Sequence, residues 1–172
     1  MSSVALVGNP RPKSRTLGAA VYAVEAINER IGISGEARTV DLSVLAPDLL
    51  SAVPPPDVQD ALDTVGEADI LVVASPTYKA TYTGLLKVFL DRFGAGSLAS
   101  AVALPLLVMG DARHALAVET HLRPLLIELG ANVPTPGLAL LESQLADAED
   151  VIGAWADRVA PQVAAFLGDR AR

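Results

Sequence analysis

Val4-Ala5-Leu6-Val7-Gly8-Asn9-Pro10-Arg11-Pro12-Lys13-Ser14-Arg15-Thr16 is an apolar run, a turn and the start of a helical pattern. Val4–Val7 is continuously apolar rather than alternating, the pattern of a strand buried on both faces of a parallel sheet. A strand feeding a tight turn feeding a helix makes an anion site. The first-turn N–H groups of the helix have no internal partners, and the helix dipole adds partial positive charge there. The turn also carries hydroxyls at Ser14 and Thr16 and cations at Arg11, Lys13 and Arg15. Short donors beside a fork-shaped guanidinium suit a phosphate monoester. A second use stays open, in which Ser14 or Thr16 caps the helix and the cations are solvated. Two features favour the anion. Gly8 stands where the strand ends and is expected to let backbone approach a ligand. The turn is also basic in a chain of net charge −7.

The length of 172 residues fits one domain, residues 1–172, with a substantial core. Hydrophobic residues make up 51% and aromatic residues only 4%, so the core must be built from Ala, Val and Leu. With no Cys, disulfides, thiolate metal sites and cysteine nucleophiles are excluded, and two His leave no metal site expected. No basic n-region precedes the first apolar run, which is too short for a signal peptide. The longest apolar stretch, Leu98 to Met109, is about half the ~20 residues that span a bilayer. A soluble cytoplasmic protein is expected, without membrane attachment. The negative net charge argues against nucleic acid, whose phosphates demand a basic face.

Outward from the first turn, helix 1 is expected from Arg15 to Arg30, with Ala20, Val21, Val24, Ile27 and Ile31 at helical spacing. Glu36 to Leu42 reads as a weaker edge strand. Leu45 to Pro56 reads as irregular, and Asp57 is placed to cap a second helix bearing Val58, Ala61, Leu62 and Val65. Ile70–Ala74 is the strongest strand, and Ser75-Pro76 is expected to end it. A third helix runs from Thr83 to Phe93. Ala101 to Met109 is another buried strand, despite Pro105. A fourth helix covers His114 to Leu129, a fifth strand Leu138–Leu141, and a fifth helix Leu145 to Leu167. Strands alternating with helices specify a parallel α/β sheet with helices on both faces, whose ligands bind at the carboxyl ends of the strands.

Three segments should therefore converge. The first is Gly8–Thr16. The second is Pro76-Thr77-Tyr78-Lys79-Ala80-Thr81-Tyr82-Thr83-Gly84, longer than the usual 2–6 residues. In it Tyr78 and Tyr82 either cover a flat ligand or pack against the domain. The N–H groups of Thr77, Tyr78 and Lys79 are expected to be free for a heterocycle. The third, Gly110-Asp111-Ala112-Arg113-His114, either borders a ligand or is an ordinary turn in which Asp111 caps the next helix. Together they point to a mononucleotide with a large planar ring. Neither G-x-G-x-x-G nor G-x-x-x-x-G-K-[ST] follows the first strand, which disfavours a dinucleotide or a triphosphate in that site.

These residues resemble the NAD(P)H-dependent FMN reductases of flavodoxin-like fold. Gly8, Asn9, Arg11, Ser14 and Thr16 match that family's G-[SN]-x-R-x-x-S-x-T phosphate motif. Pro76, Tyr78, Thr81, Gly84, Leu86, Lys87, Leu90 and Asp91 match its P-x-Y-x-x-[ST]-x-x-G-x-L-K-x-x-L-D motif. Gly110 to Val118, continuing into Leu122-Arg123-Pro124-Leu125-Leu126, is similar to the corresponding run in reductases of sulfonate-utilisation systems. The likeness spans about Ser3 to Pro136. One departure is Gly110-Asp111, where many relatives carry Gly-Gly.

The resemblance implies a three-layer sandwich around a five-stranded parallel sheet of order 2-1-3-4-5. It implies FMN as cofactor, NADPH or NADH as hydride donor, and transfer from nicotinamide C4 to flavin N5, with no side-chain acid or base. FMN-binding positions would be Asn9, Arg11, Ser14, Arg15, Thr16, Leu17, Pro76, Thr77, Tyr78, Lys79, Gly110, Asp111 and His114, the last bordering the ring without an assigned role. It further implies a homodimer or homotetramer through helices 3 and 4, a π-bulge in helix 4 with His121 as the inserted residue, and delivery of reduced FMN to a partner monooxygenase. Two other activities stay open: an enzyme that retains FMN and reduces quinones, azo dyes or metal oxyanions, and a flavodoxin-like electron carrier without nicotinamide turnover.

Overall fold

The computed structural model describes residues 1–170. Strands β1 (Ser3–Val7), β2 (Arg38–Asp41), β3 (Ile70–Pro76), β4 (Val102–Met109) and β5 (Leu138–Leu141) form one parallel sheet in the order β2-β1-β3-β4-β5. This is the expected flavodoxin-like order. β1, β3 and β4 are central and buried along their whole length, as their unbroken apolar sequences require. β2 lies at the edge and exposes Arg38 and Thr39.

The helices are α1 (Arg15–Ile31), α2 (Leu42–Leu45), α3 (Pro56–Gly66), α4 (Gly84–Leu90), α5 (Arg123–Glu128) and α6 (Ala148–Arg170). Successive strand residues point to opposite faces. Ala5 and Val7 therefore join Val24, Ile27 and Trp155 under α1 and α6, whereas Val4 and Leu6 join Val58, Phe89 and Leu126 under α3, α4 and α5. Arg30 fastens α1 to α6 by donating to Asp157 (2.6 Å) and to the Gly153 carbonyl (3.2 Å).

Several expected boundaries shift, each for a local reason. The stretch Leu45 to Pro56 is not wholly irregular. It carries the end of α2 and a 3-10 turn, Ala46–Asp48, with Asp41 accepting from the Ser43 N–H to cap α2. The second long helix begins at Pro56 rather than behind an Asp57 cap, because proline is tolerated where no helical N–H is needed. β3 continues through Ser75-Pro76. The Thr77 N–H reaches the Val108 carbonyl (2.7 Å), so the alternation turns the Pro76 nitrogen toward β1, whose last pair is Val7–Ala74. Pro105 is accommodated in the same way. The Ala103 N–H bonds the Asn132 carbonyl (2.8 Å), which turns the Pro105 nitrogen to the side where β5 pairs only from Leu106 onward.

The expected continuous fourth helix is broken into a 3-10 turn (Ala112–His114), a π turn (Val118–Leu122) and α5. The fifth helix starts at Ala148 after a 3-10 stretch, Glu142–Asp147. Among the described residues no helix is long and apolar enough to cross a membrane.

Candidate functional site

The carboxyl ends of β1, β3, β4 and β5 border a cavity of about 430 Å3. Its floor is the turn after β1. Buried Asn9 accepts from the Arg11 N–H (3.0 Å) and donates to Thr16 Oγ1 (3.1 Å), tying the turn to α1. Asn9 therefore shapes the turn, and Thr16, having accepted, keeps its hydroxyl proton to donate. Lys13, at φ 52°, reverses the chain so that Ser14 caps α1. Ser14 Oγ accepts from the Leu17 N–H (3.2 Å), so Ser14 does serve as the cap. The N–H groups of Arg15 and Thr16 stay without intrahelical partners, as first-turn donors must.

Gly8 also has a packing reason. A Cβ there would lie 2.5 Å from Leu86 Cβ and 3.2 Å from Leu86 Cα. Packing alone requires glycine here, because α4 crosses the end of β1. Thr83 locks that crossing by donating Oγ1–H to the Gly8 carbonyl (2.5 Å) while accepting from the Leu86 N–H (3.2 Å).

The turn lines the cavity with Asn9, Arg11, Ser14, Arg15 and Thr16, together with Pro12 and Lys13. Pro76 and Tyr78 supply another wall. Val108, Glu142 and Leu145 complete it, and these three were missed by sequence reasoning. The rule that ligands sit at carboxyl ends of strands applies to β5 as well, and was the available signal. Arg15 pairs with Glu142 across the cavity at 3.1 Å. Arg11 and Lys13 have no carboxylate partner among the described residues. Two uncompensated cations thus face the space, matching the charge of about −2 on a phosphate monoester at neutral pH.

The second segment is a two-residue hairpin. Tyr78 and Thr81 exchange backbone bonds (2.8 and 3.3 Å), and both central residues have positive φ, Lys79 at 52° and Ala80 at 68°. That is a type I′ turn. It corrects the expectation of free N–H groups: those of Thr77 and Tyr78 are spent on Val108 and Thr81. The Lys79 N–H, at the tip, takes no part in those bonds. Thr77 Oγ1 is buried without a hydrogen-bond partner. Tyr78 is 42% exposed over the cavity, whereas Tyr82 packs against the core. Lys87 and Asp91, both in the second motif, pair along α4.

The third segment, with Gly110, Asp111 and His114, lies outside the lining of this cavity, as do Thr77 and Lys79. Asp111 caps its 3-10 turn by accepting from the Arg113 N–H (2.9 Å) and pairs with the Arg113 side chain at 2.7 Å. Those bonds, the side-chain one first, hold its carboxyl down at about 2. Gly110 is exposed, with open space at its α-carbon, and His114 is half-buried. Leu17 lines an adjoining groove of about 830 Å3 between α1 and the start of α6, which shares Lys13, Ser14, Arg15 and Leu145 with the cavity. The π turn lies where the resemblance puts it and includes His121, which is exposed.

The donor set fits FMN. Unpaired cations and first-turn N–H groups meet at one end, an aromatic side chain stands over the space, and an orphaned hydroxyl waits at the end of β3. A doubly wound sheet carrying such a site at its carboxyl edge defines a flavodoxin-like mononucleotide-binding protein.

The chain belongs to the NADPH-dependent FMN reductase family, whose profile matches residues 1–145. It is 37% identical over 149 residues to an FMN reductase (NADPH) of Escherichia coli K12, covering 86% of this chain and 76% of that one. To the NADH-dependent FMN reductase SfnE of Pseudomonas putida it is 31% identical over 163 residues, 92% of this chain and 87% of that one. The apo crystal structure of the NADH:FMN oxidoreductase EMOB superposes with a TM-score of 0.84 at 33% identity, covering 96% and 89% of the two chains. The protein is an oxidoreductase that reduces FMN with NAD(P)H.

Proposed function

We propose that the cavity grips FMN by its phosphate and that the protein hands reduced FMN to a partner flavin-dependent monooxygenase. The observation that carries the first part is the pair of uncompensated cations, Arg11 and Lys13, beside the open first turn of α1. Arg11 and Lys13 neutralise the phosphate. The N–H groups of Arg15 and Thr16 and the Thr16 hydroxyl donate to its oxygens, and Asn9 holds the turn in shape. Bound FMN supplies the hydride acceptor for the nicotinamide.

Tyr78 and Pro76 lie against the flavin, and Leu17 flanks the phosphate end. Thr77 Oγ1, the Lys79 N–H and Gly110 border the ring as negative charge develops there. Arg113 compensates the Asp111 carboxylate, so this departure from Gly-Gly leaves no bare charge opposing reduction. His114 stands beside the ring and moves no proton. The single domain of residues 1–172 works in the cytoplasm as a homodimer or homotetramer assembled through α4 and the π turn with α5.

Steady-state NADH and NADPH oxidation by flavin-stripped protein, with and without added FMN, tests this. Turnover should require added FMN. Arg11→Ala should weaken FMN binding by about 1.5–3 kcal/mol, roughly 10- to 150-fold, the scale of a hydrogen bond to a charged group. Unchanged FMN affinity would remove Arg11 from the site, and flavin retained through purification would overturn the delivery role.

A further inference from the structure

Glu119 and Arg123 do not line the cavity, yet together they bind three backbone groups that lead into β5. Glu119 lies on the π turn and Arg123 opens α5. The Arg123 guanidinium donates from Nε to Glu119 Oε2, from Nη1 to the Val133 carbonyl (2.6 Å) and from Nη2 to the Thr135 carbonyl (2.5 Å). Glu119 Oε1 accepts from the Gly137 N–H (2.7 Å). Both side chains are half-buried, at 21% and 36% exposure for Arg123 and Glu119. The Arg123 hydrogen bond holds the Glu119 carboxyl below the ordinary carboxylate range, so the pair is charged at neutral pH.

Gly137 is pressed into the same place. A Cβ there would lie 2.6 Å from Val118 Cγ2 and 3.0 Å from Pro105 Cγ. Pro105 is also where β4 lacks a donor on its β5 side, and β5 pairs only from Leu138. Residues 133–137 are therefore held by Glu119 on the π turn and Arg123 at the start of α5, where a backbone ladder to β4 would otherwise hold them.

We propose that Glu119 and Arg123 are positioning residues that set the ring-side wall of the flavin site. The π turn fits one more residue between β4 and α5 than an α-helical turn would. Unclamped, that surplus redistributes into the stretch that begins at Gly110 and bears Asp111 and His114, which is tied by one 3-10 turn and the Asp111–Arg113 pair before Ala115 and Ala117 reach the core. The same clamp fixes the start of β5, whose far end leads to Glu142 and Leu145 in the cavity wall. This inference rests on the proposed FMN site.

The test compares FMN with riboflavin, which lacks the phosphate. Arg123→Met and Glu119→Ala should weaken both ligands by the same factor, about 5- to 30-fold, within the range of coupling through a packed network. Glu119→Gln, which keeps an acceptor for the Gly137 N–H, should recover part of that loss. Hydrogen exchange should show the Gly137 amide exposed in Glu119→Ala while the β1 and β3 amides stay protected. Arg11→Ala, by contrast, should weaken FMN alone. Variants that keep β1 and β3 protected yet bind both ligands within about two-fold of the parent would overturn the clamp, as would a loss confined to FMN. If instead Arg11→Ala leaves FMN unaffected, the phosphate site itself is refuted, and that result is distinct from failure of the clamp.

Discussion

Gly8→Ala separates two roles for one residue. If glycine is there to admit a ligand, the substitution should leave stability alone and weaken FMN binding. The structure puts the new methyl 2.5 Å from Leu86 Cβ and 3.2 Å from Leu86 Cα. Those atoms are shared by every residue except glycine, so no truncation of Leu86 to alanine relieves the contact. The α4 N-terminus must move away from β1. Overpacking of that kind costs about 1–3 kcal/mol. The displacement also stretches the Thr83 Oγ1–Gly8 bond of 2.5 Å, whose loss adds about 0.5–1.5 kcal/mol. The sum is about 1.5–4.5 kcal/mol, or a Tm lowered by roughly 3–18 °C in a domain of this size. Urea denaturation and calorimetry of the flavin-free protein read this directly. A Gly8→Ala protein within about 0.5 kcal/mol of the parent would refute the packing argument.

Three further outcomes are expected. Ala80→Gly removes the Cβ from a left-handed residue at the hairpin tip, a relief of about 1–2 kcal/mol partly offset by the greater freedom of unfolded glycine; thermal unfolding should show a small gain, and a clear loss would contradict the type I′ assignment. The Asp111 carboxyl, held down at about 2, should titrate by NMR near that value and rise toward 3.8 in Arg113→Ala. Because its folded value is depressed, any stability from this pair is complete above pH 3.8 and is lost only as pH falls through about 2, so it should make no contribution to pH dependence between 5 and 8. FMN at about a hundred times its dissociation constant should stabilise the protein by about 2.7 kcal/mol, a Tm rise of roughly 5–10 °C, and the rise should shrink in Arg11→Ala.

Much of the architecture was legible in local pattern. Val4–Val7, Ile70–Ala74 and Ala101–Met109 are unbroken apolar runs, and only a sheet covered on both faces can bury them. Basic residues and hydroxyls between a strand and a helix point to an anion site from sequence alone, because helix N-termini and guanidinium groups act over a few residues. Tertiary structure alone decided what those residues spend their groups on. Gly8 answers to Leu86, far along the chain. The Thr77 N–H is spent on β4, and Arg15 finds its carboxylate beyond β5. No local period encodes such contacts, since they depend on which strands become neighbours. The division is physical: burial and helix formation are read from spacing along the chain, whereas the pairing of individual donors, charges and methyl groups is set by how the finished layers meet.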